Sequence, residues 1–84
     1  MTAPRWIIHL PTTLTGQDVA TDLAAALRES LAHVTAFDFG ETTLSEEDAQ
    51  HLRYRVWCDT RLPSGRRCRL RDGHSGSCGA TGEG

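Results

Sequence analysis

A chain of 84 residues with 38 % hydrophobic content has room for one small domain and a thin core, which a covalent or metal staple would help. It holds no apolar run near the ~20 residues of a membrane span, and Trp6-Ile7-Ile8 after Arg5 is too short for a secretory h-region, so a cytoplasmic protein without membrane contact is expected. The net charge of −2 hides a polarity: residues 1–52 balance at −6 and residues 53–84 at +4, with every basic residue an arginine.

The elements follow in chain order. Arg5 to Leu10 is apolar, contains two isoleucines and a tryptophan, and runs into Pro11, which predicts a strand apolar on both faces. Thr12 to Gly16 is turn-like, and Thr15 is placed to cap a helix with Asp18 in its first turn. Gln17 to His33 is the clearest helix. Val19, Leu23, Ala26, Leu27 and Leu31 share a face, joined by Ala20 and Ala24. Val34 to Phe39 returns to a strand pattern, and Gly40 permits a bend before Thr42-Thr43-Leu44. Ser45 to Asp48 fits either a hairpin turn or a one-turn helix, and the hairpin is favoured because His51 to Trp57 alternates. The expected fold is α+β: one helix on a small sheet in β-α-β-β order, with Ile8, Phe37 and Leu52 as core types. Residues 1–56 form the body, 57–79 a metal loop, and 80–84 a disordered tail.

All three cysteines lie in the metal loop, at Cys58, Cys68 and Cys78, with His74 between the last two. The spacing C-x9-C-x5-H-x3-C collects four soft or borderline donors within 21 residues, a set that suits one tetrahedral Zn2+. Interleaved glycines and Pro63-Ser64-Gly65 supply turns. No paired C-x2-C knuckle is present, so spacing leaves two alternatives: a disulfide with a spare thiol, or three free thiols. The odd cysteine count and the expected reducing compartment favour metal. Four donors in one segment argue for a closed structural site, and hence against an enzyme.

The run C-D-T-R-L-P-S-G-R-R-C-R-L-R-D-G-H-S-G-S-C resembles a short zinc loop, C…L-x-x-G-x-x-C-x-L-x-x-G-H-x-G-x-C/H, of small uncharacterised actinobacterial and phage proteins. The resemblance covers about a quarter of the chain. It implies metal binding by Cys58, Cys68, His74 and Cys78, and no activity.

The basic end suggests partners. Arg61, Arg66, Arg67, Arg69 and Arg71 on a rigid loop would track a DNA or RNA backbone, and Arg53 and Arg55 would flank Trp57 on a strand face suited to stacking bases. The alternatives are a solvated strand face with Trp57 packed beneath the loop, and an arginine-rich surface set by codon usage. No helix-turn-helix or aromatic RNP pattern is present, so sequence-specific reading is not expected. A third reading is an interaction module, of phage or mobile-element type, whose loop meets an acidic protein surface; a homodimer is a further expectation. His9, His33 and His51 read as ordinary polar residues. Glu41, Glu46, Glu47 and Asp48 read as a solvated loop rather than an acid–base pair.

Overall fold

A computed structural model of the chain describes residues 2–78. The class is the expected one, α+β, with one helix, a two-stranded antiparallel sheet and a cysteine/histidine cluster near the C-terminus. Helix α1 spans Gln17–Ser30, strand β1 Thr43–Leu44 and strand β2 Tyr54–Arg55. The sheet pairs Thr43 with Arg55 and Leu44 with Tyr54. The favoured hairpin is therefore present, and its connection carries a 3-10 turn at Glu47–Ala49, so both readings of that stretch hold part of the truth.

The finer strand order differs from expectation. Arg5 to Leu10 is extended, but no backbone hydrogen bond ties it to another segment among the described residues. A strand apolar on both faces needs a layer on each side, and a 14-residue helix covers only one. The helix is spent elsewhere. The segment stays outside, with Trp6 96 % exposed. Val34 to Phe39 is also not a strand. Val34 N–H returns to the Leu31 carbonyl and Phe37 N–H to the Val34 carbonyl, so the chain leaves the helix through successive turns into a 3-10 turn at Phe39–Glu41.

The helix starts at the predicted Gln17 and stops at Ser30, short of His33. Gly16 rather than Thr15 is the N-cap, Asp18 lies in the first turn, and Leu31 closes the C-terminus by donating to the Leu27 carbonyl. The buried face is turned from the expected one. Val19, Leu23 and Ala26 are exposed, while Ala24 is buried and Ala20, Ala25, Leu27 and Leu31 are half-buried. The cause is the partner: Ala24 meets Val56 and Trp57, and a small side chain lets the helix approach a bulky ring. Phe39, Leu44 and Ala25 pack around that cluster. Ile8, Phe37 and Leu52 are exposed and take no part in the core.

Val56 joins the sheet to the metal loop. Its N–H donates to the Thr42 carbonyl, and its carbonyl accepts from Asp72 N–H. From there residues 56–62 and 66–72 run as a second, irregular antiparallel hairpin. Cys58 N–H reaches the Leu70 carbonyl, Cys68 N–H the Thr60 carbonyl and Leu62 N–H the Arg66 carbonyl. No helix among the described residues is long and apolar enough to cross a membrane.

Candidate metal centre

The second hairpin places the first two donors opposite each other. Asp59 N–H donates to the Cys68 carbonyl while Cys68 N–H donates to the Thr60 carbonyl, so two residues face one. That is a β-bulge, and its first residue, Asp59, has φ 58. Asp is among the few side chains that enter the left-handed region readily. Beyond the hairpin, His74 N–H closes a turn on the Arg71 carbonyl. Gly73 at φ 78 and Gly76 at φ 81 then turn the chain back on either side of His74, so that Cys78 returns to the same point.

One ligand atom from each of Cys58, Cys68, His74 and Cys78 falls in a cluster whose members all lie within 4.8 Å of one another. Cys58 Sγ is 3.6 Å from Cys78 Sγ, Cys68 Sγ is 3.6 Å from His74 Nε2, and Cys78 Sγ is 3.9 Å from the same nitrogen. With metal–sulfur bonds of ~2.3 Å and a metal–nitrogen bond of ~2.0 Å, a tetrahedron has edges of about 3.5–3.8 Å. The two 3.6 Å separations fall on such edges, the 3.9 Å one is slightly longer, and the whole set lies within 4.8 Å, close enough to converge on one ion. All three cysteines are free, so the disulfide alternative does not describe this arrangement.

Neighbouring groups prepare the donors. His74 Nδ1 lies 3.1 Å from the Ser75 carbonyl, which selects the tautomer with its proton there and turns the Nε2 lone pair toward the sulfurs. The Thr60 hydroxyl lies 3.0 Å from Cys58 Sγ. Hydrogen bonds from that hydroxyl and from Thr60 N–H, aided by His74, lower the Cys58 thiol to about 6. The Cys78 thiol is pushed up, first because it donates to Cys58 and then by burial. His74 is raised, through the Ser75 carbonyl first and then Cys58. A lowered Cys58 thiol favours the thiolate, the form that binds a soft cation. Cys68, only 2 % exposed, anchors the cluster from inside.

The arginines divide. Arg67 is engaged within the chain: it pairs with Asp38, Glu41 and Asp59, while Arg5 pairs with Asp38 and Glu41. Gly40 makes this possible, because a Cβ there would overlap the Asp59 carboxylate. Arg55 also turns inward. It donates to the carbonyls of Trp57 and Cys58 at 3.4 and 3.0 Å, and Arg53 donates to the Gln50 carbonyl at 2.8 Å. The stacking platform of Arg53, Arg55 and Trp57 is not formed, since Trp57 is 4 % exposed beneath α1. Arg61, Arg66, Arg69 and Arg71 are exposed and make no ion pair among the described residues.

Sequence reasoning missed Thr60, Arg5 and Arg28. Only Thr60 left a local signal, as the second residue after Cys58. Glu41, grouped with a solvated loop, is instead the partner of Arg5; Glu46, Glu47 and Asp48 are exposed as expected, and His9, His33 and His51 stand outside the cluster. Gly79 and the predicted tail at 80–84 lie outside the described residues.

The fold and site together define a small α+β domain with a Cys3His cluster compatible with metal binding. Compared with known proteins, the chain matches no family model, no curated protein and no solved structure.

Proposed function

We propose that this protein is a small, non-catalytic accessory protein of a reducing, cytoplasmic compartment. One structural Zn2+ held by Cys58, Cys68, His74 and Cys78 shapes its basic hairpin for contact with a nucleic-acid backbone. The observation that carries the reading is the convergence of three thiols and one imidazole within 4.8 Å of one another. Three sulfurs favour zinc over the hard cations. Four protein donors fill a tetrahedron and leave no position for a reacting water, which supports a structural rather than a catalytic role. The free guanidinium groups of Arg61, Arg66 and Arg71 on that hairpin support the backbone contact.

A second reading is favoured by the exposed apolar arm, Arg5 to Leu10, which offers unpaired backbone and large side chains to a protein partner, including a second copy of the chain. In that reading the protein is an interaction module of phage or mobile-element type, whose basic end meets an acidic surface.

Elemental analysis and native mass spectrometry test the metal: one zinc per chain is expected, and a metal-free disulfide form would overturn it. Gel shifts at two salt concentrations test the role. Backbone contacts lose affinity steeply with salt, by a log–log slope of about −0.9 per phosphate on duplex DNA, and Arg61→Ala/Arg66→Ala/Arg71→Ala should flatten it. Absence of DNA or RNA binding at low salt, with recovery of a specific protein partner, would replace the first reading by the second.

A further inference from the structure

Arg28 differs from the other arginines. It projects from the last turn of α1, where the carbonyl end of the helix favours a cation. Its guanidinium carbon lies 4.5 Å from the Trp57 ring centroid. Stacking uses the flat face of a guanidinium and leaves its in-plane N–H donors to find acceptors elsewhere. One of the two terminal nitrogens, Nη1, is shut off from solvent and has no hydrogen-bond partner among the described residues. A buried charged donor without an acceptor is a defect that folded proteins rarely keep without a use.

The surroundings supply the use. Arg28 lines a cleft of ≈ 450 Å³ together with Arg5, Arg67, Arg69, Phe37 and one carboxylate, Asp38. Arg5 and Arg67 are neutralised by Asp38, Glu41 and Asp59. Arg28 and Arg69 meet no carboxylate among the described residues. Burial, and then the charge of Arg69, lower the Arg28 pKa against the opposing pull of Asp59 and Asp38, and the one carboxylate on the cleft, Asp38, is already held by Arg5 and Arg67. Arg28 and Arg69 come from different elements, α1 and the second arm of the metal hairpin, and the hairpin fixes the second of them beside the buried Cys68.

We propose that this cleft is a phosphate site, in which Arg28 and Arg69 share the oxygens of one phosphate group. A carboxylate has two oxygens and is satisfied by a single guanidinium fork. A phosphate offers further oxygens, and so suits two forks approaching from different sides. Phe37, half-exposed on the same rim, presents a ring to the organic part of the ligand. The phosphate belongs either to a free ester, such as a mononucleotide, or to the phosphodiester chain of a single-stranded nucleic acid. The site uses none of the hairpin-tip arginines invoked above, so either inference can fail while the other stands.

The test follows the arginine Nε–H signals of the full chain by NMR, with metal content checked, during titration with inorganic phosphate at constant ionic strength. Deoxythymidine monophosphate and a short single-stranded oligodeoxythymidylate follow as separate probes. Saturable shifts at Arg28 and Arg69 are expected, with affinity lower by about tenfold or more in Arg28→Met and in Arg69→Gln, and unchanged in Arg53→Gln, whose guanidinium donates to the Gln50 carbonyl. If Arg28→Met fails to fold, the exposed Arg69→Gln carries the comparison. Tighter binding of the oligonucleotide than of the monophosphate assigns the phosphate to a nucleic-acid chain; equal or weaker binding assigns it to a free ester. Shifts that do not saturate, or an equal loss in Arg53→Gln, would reduce the effect to diffuse charge attraction and overturn the site.

Discussion

Two stretches of this chain combine apolar residues with a β-prone pattern, and they end in opposite states. Residues 54–58 are drawn into the centre: Val56 and Trp57 are buried, and Cys58 turns into the donor cluster. Residues 5–10 are at least as apolar, yet lie on the surface, tied down by the Arg5 pairs with Asp38 and Glu41. The difference is in neighbours rather than in composition. The 54–58 stretch has a strand on one side, a second hairpin arm on the other and α1 above, so both its side chains and its backbone groups are satisfied. The 5–10 stretch follows Pro4, ends at Pro11 and pairs with no other segment among the described residues.

Metal removal should break the contrast most completely. Binding free energy at a structural zinc in a small domain is on the order of 10 kcal/mol, comparable with the whole stability of a domain of this size. Chelation, or Cys68→Ser, is expected to abolish the cooperative thermal transition followed by near-ultraviolet circular dichroism. A transition unchanged by a chelator that strips the metal would show that the hairpin stands without it.

Trp57→Ala comes next, at about 3–5 kcal/mol, because it removes the ring on which Ala24 and Arg28 rest. A loss below about 1 kcal/mol in urea titration would mean that α1 is held by something other than this ring.

Arg67→Gln is expected to lower stability by about 2 kcal/mol, between the surface and buried limits for ion pairs, since it leaves the nearly buried Asp59 side chain facing Asp38 and Glu41. The same variant has a pH signature. The Arg67 hydrogen bond, opposed by burial and reinforced by Arg5, holds Asp38 at about 2 against an ordinary 3.8. A depressed carboxylate contributes stability fully present above its unfolded value and lost as pH falls through its folded one, here between 3.8 and about 2. Arg67→Gln should therefore move the Asp38 carboxyl titration upward in carbon-detected NMR, and acid unfolding with it. An unmoved titration would assign the shift to Arg5 alone.

The smallest effect is expected in the arm. Ile7→Ser/Ile8→Ser should change the stability of the isolated chain by no more than about 0.5 kcal/mol, because these residues are exposed. A larger loss, or a change of mass in solution, would mean that a second copy covers them.

What could be read from the sequence was local. Cys58, Cys68, His74 and Cys78 lie close along the chain, so their spacing alone brings them near one another. The helix was legible because periodicity and alanine content agree over its length. Its face was not, since Ala24 outranks Leu23 only once Trp57 lies against it. The strands expected at Arg5–Leu10 and Val34–Phe39 have suitable composition, but a strand is a relation between segments, and those two have no strand partner among the described residues. Arg67 read as a free cation because its carboxylates, Asp38 and Glu41, stand far away in sequence. Arg28 gave no sign at all, because a lone arginine on a helix forms no pattern.

The burial of one tryptophan and the exposure of the other have an optical consequence. Trp6 is 96 % exposed and Trp57 is 4 % exposed, and the chain has no third. Native emission is therefore a mixture of an indole in water and an indole sandwiched between α1 and the hairpin. Replacing Trp6 with phenylalanine would leave a single emitter, capped by a guanidinium and one residue away from a thiol of the cluster. The docking of the helix and the loading of the metal then become readable in one fluorescence channel, without an added label.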